Sequence, residues 1–245
     1  MEYAKGVKGE IDQRPKRFYS DVSVTAVQPG WTVLLDARAL RSQAGRPFIV
    51  PTLELAETIA AEWRAQGERI DLATMFNTRQ AYGVLDRPDD AVAALAAQVA
   101  QYAETDLVCY LAEGPAALRD RQEAAWAPLR EWAEGLGVAL RPSVGIMPKA
   151  QPVASIDAIR AHAIGLDRFR LAGLAHGVAL FGSAILGLAV ERGRLSAAEA
   201  YELSRIDEAY QAGLWGEDAE AVRRTTSARA EACALDLWFA ALSQG

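Results

Sequence analysis

Residues 22–35 read VSVTAVQPGWTVLL and residues 50–67 read VPTLELAETIAAEWRAQG, and the change of hydrophobic period between them decides the fold. In the first stretch Val22, Val24 and Ala26 alternate with Ser23 and Thr25, Pro29-Gly30 makes a turn, and Trp31, Val33 and Leu35 alternate with Thr32 and Leu34. A period of two interrupted by a Pro-Gly turn predicts a β-hairpin. In the second, Leu55, Ala56, Ile59, Ala60 and Trp63 recur at helical spacing behind Thr52, whose hydroxyl can cap the first turn, and Gly67 stands at the end. A further strand pair is expected at 39–42 and 47–50 around Gln43-Ala44-Gly45.

Beyond Pro51 the helical period dominates. Helices are expected at 89–103 and at 118–136, the latter with Pro128 as a kink or break. Short strands are expected at 106–111 and 140–147, with a loop around Lys149 between Pro148 and Pro152. Ser155 is read as a helix cap, 171–190 as one long apolar helix ended by Gly193, Ser196 with Glu199 as a capping box, and 217–242 as the last helix. The fold class is therefore α+β. A flexible leader at 1–16 precedes a β-rich N-terminal domain at 17–70 and a larger, mainly α-helical domain at 71–245.

With 245 residues, 51% hydrophobic and 24% charged, the chain has the composition of an ordinary globular protein able to bury a substantial core. A net charge of −6 opposes general affinity for nucleic-acid phosphates. Cys109 and Cys233 lie far apart in apolar contexts, which predicts reduced core thiols and a cytoplasmic protein. The amino terminus carries no apolar signal-peptide core. The run LAGLAHGVALFGSAILGLAV at 171–190 is uncharged and long enough to cross a bilayer. Its four glycines, His176 and Ser183 make it only moderately apolar, so a buried central helix is expected rather than stable membrane insertion, with Gly173 and Gly177 permitting close helix approach.

Chemistry-bearing patterns are sparse. His162 and His176 are the only histidines, no zinc-type spacing surrounds them, and no metal is expected. His176 on an apolar helix reads most simply as a core histidine. Neither a Walker-type loop nor a GxGxxG turn is present, so no cofactor is expected, and Ser183 inside a predicted helix lacks the strand-to-helix elbow of a nucleophile. In FNTRQAYGVLDR, Arg79 with Asp86 and Arg87 reads as an anion site or as structural pairing, the latter favoured. Residues 204–221, SRIDEAYQAGLWGEDAEA, set two acidic clusters around a tyrosine and a tryptophan. A helical wheel turns Leu203, Ile206, Tyr210 and Leu214 inward and Tyr201, Ser204 and Glu208 outward. Asp207 and Glu208 project about 100° apart and cannot by themselves form an acid-base pair. A small-molecule enzyme using Asp207 or Glu208 with distant partners remains the alternative reading.

Nine blocks stand in order, RFYSDVSV, GWTVLLDARALRSQAG, VPTLELAETIAAEWRAQGE, TRQAYGVLDR, YAETDLVCY, RQEAAWAPLREWAE, GIMPKAQP, FGSAILGLAV and IDEAYQAGLWGEDAEA, in a likeness that runs from Phe18 to about Leu242. Together they resemble the assembly-chaperone family for the α subunit of the ATP synthase F(1) sector. The resemblance implies a small β-rich domain followed by a helical one, no catalysis and no ATP hydrolysis. It implies a partner, the free F(1) α subunit, whose β-facing surface is shielded until the β subunit replaces the chaperone. The family's acidic helix motif falls on Asp207, Glu208, Tyr210 and Gln211, and its WGED block on Trp215, Gly216, Glu217 and Asp218. With the outward-facing Tyr201, these residues are the expected partner contacts, Glu208 foremost; Trp63 is expected to matter through packing. This sequence departs from the family pattern in lacking a proline after Met75, in the residues near Tyr82 and in Lys149 after GIMP. A monomeric, bacterial, cytoplasmic protein is expected; the family's eukaryotic members are mitochondrial.

Overall fold

The computed structural model describes residues 12–88, 90–216 and 219–243. Strands β1 (Val22–Val27) and β2 (Gly30–Leu35) form the expected antiparallel hairpin, with Val22 opposite Leu35 and Val24 opposite Val33. A short β3 (Arg38–Ala39) extends the sheet in the order β1-β2-β3. The anticipated second strand pair is reduced to single bridges, Arg41 to Pro47 and Trp31 to Val50. Val33 and Leu35 share the inward face of β2, and α1 (Leu53–Arg64) packs on the β1–β2 hairpin with Leu55, Ala56, Ile59, Ala60 and Trp63 buried. Thr52 caps α1 by accepting from the Leu55 N–H at 3.2 Å. Its hydroxyl also donates to the Ala241 carbonyl at 2.9 Å, tying the start of α1 to the end of the last helix.

The helices that follow are α2 (Phe76–Asp86), α3 (Ala91–Gln101), α4 (Ala116–Glu134), α5 (Val153–Gly165), α6 (Arg168–Phe181), α7 (Ala184–Glu191), α8 (Ala197–Ser204), α9 (Ile206–Trp215) and α10 (Ala219–Leu242). A two-stranded parallel sheet, β4 (Tyr110–Leu111) with β5 (Ser143–Val144), interrupts them. The segments read as strands at 106–111 and 140–147 contribute only these pairs, and Leu107–Cys109 forms a 3-10 turn. Pro128 lies inside an otherwise continuous α4. Ser155 is not a cap: Pro152 precedes α5, and the buried Ser155 hydroxyl accepts from the Ala139 N–H at 3.0 Å. The Ser196–Glu199 capping box forms as read.

The run 171–190 is not one helix. Gly182 takes a left-handed conformation (φ 66°), α6 ends, and Ser183 caps α7 by accepting from the Leu186 N–H at 3.0 Å. The two halves fold back and pack on each other, and no helix among the described residues is long and apolar enough to cross a membrane. Gly173 lets α6 approach α10: a Cβ there would fall 2.8 Å from Phe239 and 2.9 Å from Trp238. One hydrophobic cluster runs from Tyr19, Val33 and Phe48 through Trp126 and Leu174 to Trp238. Cys109 is buried, but Cys233 is exposed. Its apolar sequence neighbours Ala232 and Leu235 turn inward from α10 while Cys233 projects from another side of the helix.

Two side chains hold distant parts of this core. Trp63 is buried with its ring edge-on to Tyr19 at 5.7 Å, and the Tyr19 hydroxyl donates to the Trp63 carbonyl at 2.7 Å. Trp63→Ala is expected to cost about 3–5 kcal/mol in urea unfolding. The fully buried Asp106 accepts from the Val108 N–H at 3.2 Å and the Ile185 N–H at 3.0 Å, the latter in the first turn of α7. Burial pushes its carboxyl up to about 6, against the hydrogen bonds that favour the anion. The same group in the unfolded chain ionises near pH 4, roughly its unperturbed value. Between those values the folded protein holds a proton that the unfolded chain has released, so stability falls as pH rises through that window. Asp106→Asn is expected to flatten this fall in urea midpoints taken from acid to neutral pH; an unchanged slope would assign the titration to another group.

Candidate functional site

The inward face of α4 carries Leu118, Gln122, Trp126, Leu129, Arg130 and Ala133, an apolar stripe with two long polar side chains set into it. Gln122 has no exposed surface. Its Oε1 accepts from the Ala112 N–H at 2.7 Å, and its Nε2 donates to the Asp207 carboxylate on α9. The Trp126 indole donates to the Leu203 carbonyl at 3.0 Å. Arg130 donates to the Val108 carbonyl and to Glu123, both at 2.7 Å. Helix α4 thereby fixes the segment leading into β4 on one side and the α8–α9 junction on the other.

That junction changes the expected surface. A helix running unbroken through 201–214 was assumed by the wheel, whereas α8 ends at Ser204 and α9 starts at Ile206. The Leu203 carbonyl is taken by Trp126, and the Tyr201 carbonyl accepts from the Ser204 hydroxyl at 2.7 Å, so side chains satisfy the end of α8. The break resets the phase: Tyr201 (4% exposed) and Ser204 are buried, not outward. Ile206 is buried and Tyr210 half-buried against the core, as expected. Leu214 is 60% exposed instead of inward, because α9 runs past the core at its end.

Asp207, Glu208 and Gln211 face outward, and Trp215 is 83% exposed. Glu208 pairs with Arg205 at 2.8 Å one turn back, an exposed pair of small energetic weight. The Trp215 indole donates to Gln211 Oε1 at 3.0 Å, which fixes the ring on the helix. The expected contacts Glu217 and Asp218 lie outside the described residues.

A second exposed apolar cluster was not singled out from the sequence. Ile146 is 89% and Met147 75% exposed, just beyond β5. The Gly145 N–H donates to the Leu111 carbonyl at 2.8 Å, next to Ala112, whose N–H is held by Gln122. A chain of hydrogen bonds therefore leads from Asp207 through Gln122 and Ala112 to the Ile146–Met147 loop. Its readable signal was a glutamine in the core stripe of α4, flanked one turn away on each side by Leu118 and Trp126.

The residues read as structural lie elsewhere. Asp86 accepts from the Ser42 hydroxyl and from the Ala44 N–H at 3.1 Å, holding the 42–46 turn instead of pairing with Arg87. Arg87 follows α2, and its carbonyl accepts from Arg168 at 3.3 Å. Arg79 stacks on Phe76, 4.8 Å from the ring centre, and lies 4.0 Å from Glu231. His176 is half-buried, its Nε2 3.3 Å from Glu231. The cavity that Arg79 and His176 share includes neither Asp207 nor Glu208, so the two halves of the enzyme reading do not meet there.

A family profile described as ATP12 chaperone protein matches residues 16–134. The crystal structure of Atp12 from Paracoccus denitrificans is 40% identical over 92% of this chain and 97% of that one, with a TM-score of 0.85. An aspartate-to-lysine mutant of P. denitrificans Atp12p is 39% identical over 91% and 98%, with a TM-score of 0.82. A protein of Agrobacterium tumefaciens proposed to be a chaperone is 34% identical over 93% and 86%, with a TM-score of 0.85. Likeness at this identity over nearly the whole length of each chain establishes the relationship, and the chain belongs to the ATP12 chaperone family of non-enzymatic ATP synthase assembly factors.

Proposed function

We propose that this protein binds the free F(1) α subunit, covers the surface that later meets the β subunit, and yields it when β docks, acting as a monomer in the bacterial cytoplasm. The observation that carries the reading is the pair of exposed apolar groups, Leu214 with Trp215 and Ile146 with Met147, anchored to the same buried glutamine. An orphan subunit of an obligate assembly exposes a large apolar interface that aggregates unless covered. Exposed side chains on a rigid support can cover part of it without the chaperone unfolding. Asp207 and Glu208 stand in the first turn of α9, at the other end from Leu214 and Trp215, and supply orientation and encounter rate. Trp215, already tied to Gln211, loses little rotamer freedom on docking and suits the role of central anchor. Tyr201 is buried, and its carbonyl holds Ser204 at the junction that leads into α9.

Two substitutions divide the surface. Glu208→Lys reverses an outward charge and gives up only an exposed pair with Arg205, so the fold should stay intact while affinity for α falls about tenfold or more. Circular dichroism and titration against purified α subunit check both halves; a folded variant that binds normally removes Glu208 from the interface. Ile146→Ser combined with Met147→Ser removes apolar surface that touches no core, and is expected to weaken suppression of light scattering when α is diluted from denaturant. In the same assay the unaltered protein should form a discrete complex with α that added β subunit disperses. Failure to engage α at all would overturn the reading.

A further inference from the structure

Helices α2, α6 and α10 border a solvent-open pocket of about 220 Å³ in which Asn77, Arg79, Gln80, His176, Glu231 and Leu235 meet. Asn77 belongs to a residue only 3% exposed, and its backbone N–H is used, donating to Glu62 at 2.7 Å. Its carboxamide has no hydrogen-bond partner among the described residues and lines the cavity. An amide so placed has hydrogen-bonding capacity to offer an occupant with polar atoms.

The charges define that occupant. Arg79 is held by its stack on Phe76, and its nearest carboxylate, Glu231, stands 4.0 Å away, too far for a direct hydrogen bond. Glu231 is shared with His176 at 3.3 Å. Burial, with Arg79 adding to it and Glu231 opposing, keeps His176 below its ordinary value and therefore neutral at neutral pH. One positive and one negative group thus face a small space with hydrogen-bonding capacity left over. A simple anion would meet Glu231 and a simple cation would meet Arg79. A molecule carrying both charged groups on one carbon satisfies the two together. The volume lies below the roughly 300–1,000 Å³ of sites for drug-sized ligands, and Leu235 provides an aliphatic wall.

We propose that this cavity binds a free α-amino acid with an aliphatic side chain, its carboxylate on Arg79 and the Asn77 carboxamide, its ammonium on Glu231 and its side chain against Leu235. A residue inside a peptide cannot offer both charges on one carbon, so the site selects the free molecule. The cavity excludes Asp207 and Glu208, and the inference stands or falls apart from α-subunit binding.

The test is calorimetric titration of the full chain with L-leucine, L-leucinamide, which lacks the carboxylate, and N-acetyl-L-leucine, which lacks the ammonium. Leucine is expected to bind at one site, saturably, and to raise the thermal midpoint by linkage. Each analogue should bind about tenfold more weakly or worse, as should leucine to Arg79→Gln and to Glu231→Gln, each losing a charged contact. Both variants alter partly exposed side chains, and their ligand-free melting curves check that they fold; the analogue comparison needs no variant at all. Absence of saturable binding, an analogue that binds as well as leucine, or undiminished leucine affinity in both variants would overturn the proposal.

Discussion

The carboxylate of Asp106 is the constraint around which the helical part of this protein is arranged. It sits without solvent contact where α6 turns into α7, and it accepts from backbone N–H groups on both sides of the packing, Val108 in its own turn and Ile185 in the first turn of α7. The adjacent Leu107 N–H donates to the Gly182 carbonyl at 3.1 Å, so the same short segment also holds the left-handed residue that reverses the chain. Burial opposes the charge, whereas the donors at a helix N-terminus favour it. The group remains because without it those N–H groups would be buried and unpaired. A reversal inside an uncharged twenty-residue run turns what could have been a spanning helix into a packed pair, against which α3, α5, α8 and α10 assemble.

From that pair the order passes outward through α4, which packs on α7 and presents a polar residue wherever it must grip backbone rather than fill space. Gln122 and Arg130 lie in an apolar stripe, yet each spends its polar atoms on chain segments that have no regular partner: Ala112, Val108 and the side of α9. This is the economical way to hold irregular backbone in a core, since each satisfied carbonyl or N–H removes a desolvation cost and each side chain fills the volume of a leucine or methionine. The exposed features, α9 and the loop after β5, are therefore appended to rigid structure without themselves being part of the core.

What the sequence reveals follows the range of the forces involved. The buried face of α1 was legible residue by residue because a single amphipathic helix with a threonine cap carries its own phase. The hairpin was legible for the same local reason. The reversal at Gly182 was not, since Gly182-Ser183 has the composition of the run around it and its determinant, Asp106, lies 79 residues from Ile185. The burial of Tyr201 and Ser204 was hidden likewise: the phase break after Ser204 depends on the Trp126 indole, 77 residues from the carbonyl it binds. The acidic and aromatic residues of α9 could be picked out by type and spacing. Ile146 and Met147 could not, because they lie inside the stretch read as a strand at 140–147, of which only Ser143–Val144 pairs and the rest runs on as an exposed loop.

The reversible capture we propose sets opposing requirements, and the construction of α9 suits both. Its first turns are locked, with Ile206 buried, Tyr210 half-buried and Asp207 held by Gln122, so the direction of the helix is settled before any partner arrives. Its last turn is free of the core, and the largest apolar side chain on it is tied only to Gln211 on the same helix. Pre-orientation lowers the ordering cost of association, which favours binding to an aggregation-prone surface in competition with self-association. A contact made by a few exposed side chains buries far less area than an obligate subunit interface, which favours displacement by a partner offering the larger one. A surface better packed and more extensive would hold a client too well, and one without the buried anchor would not hold its shape; in the role we propose, the division between a fixed root and a free tip lets the protein bind first and be displaced later.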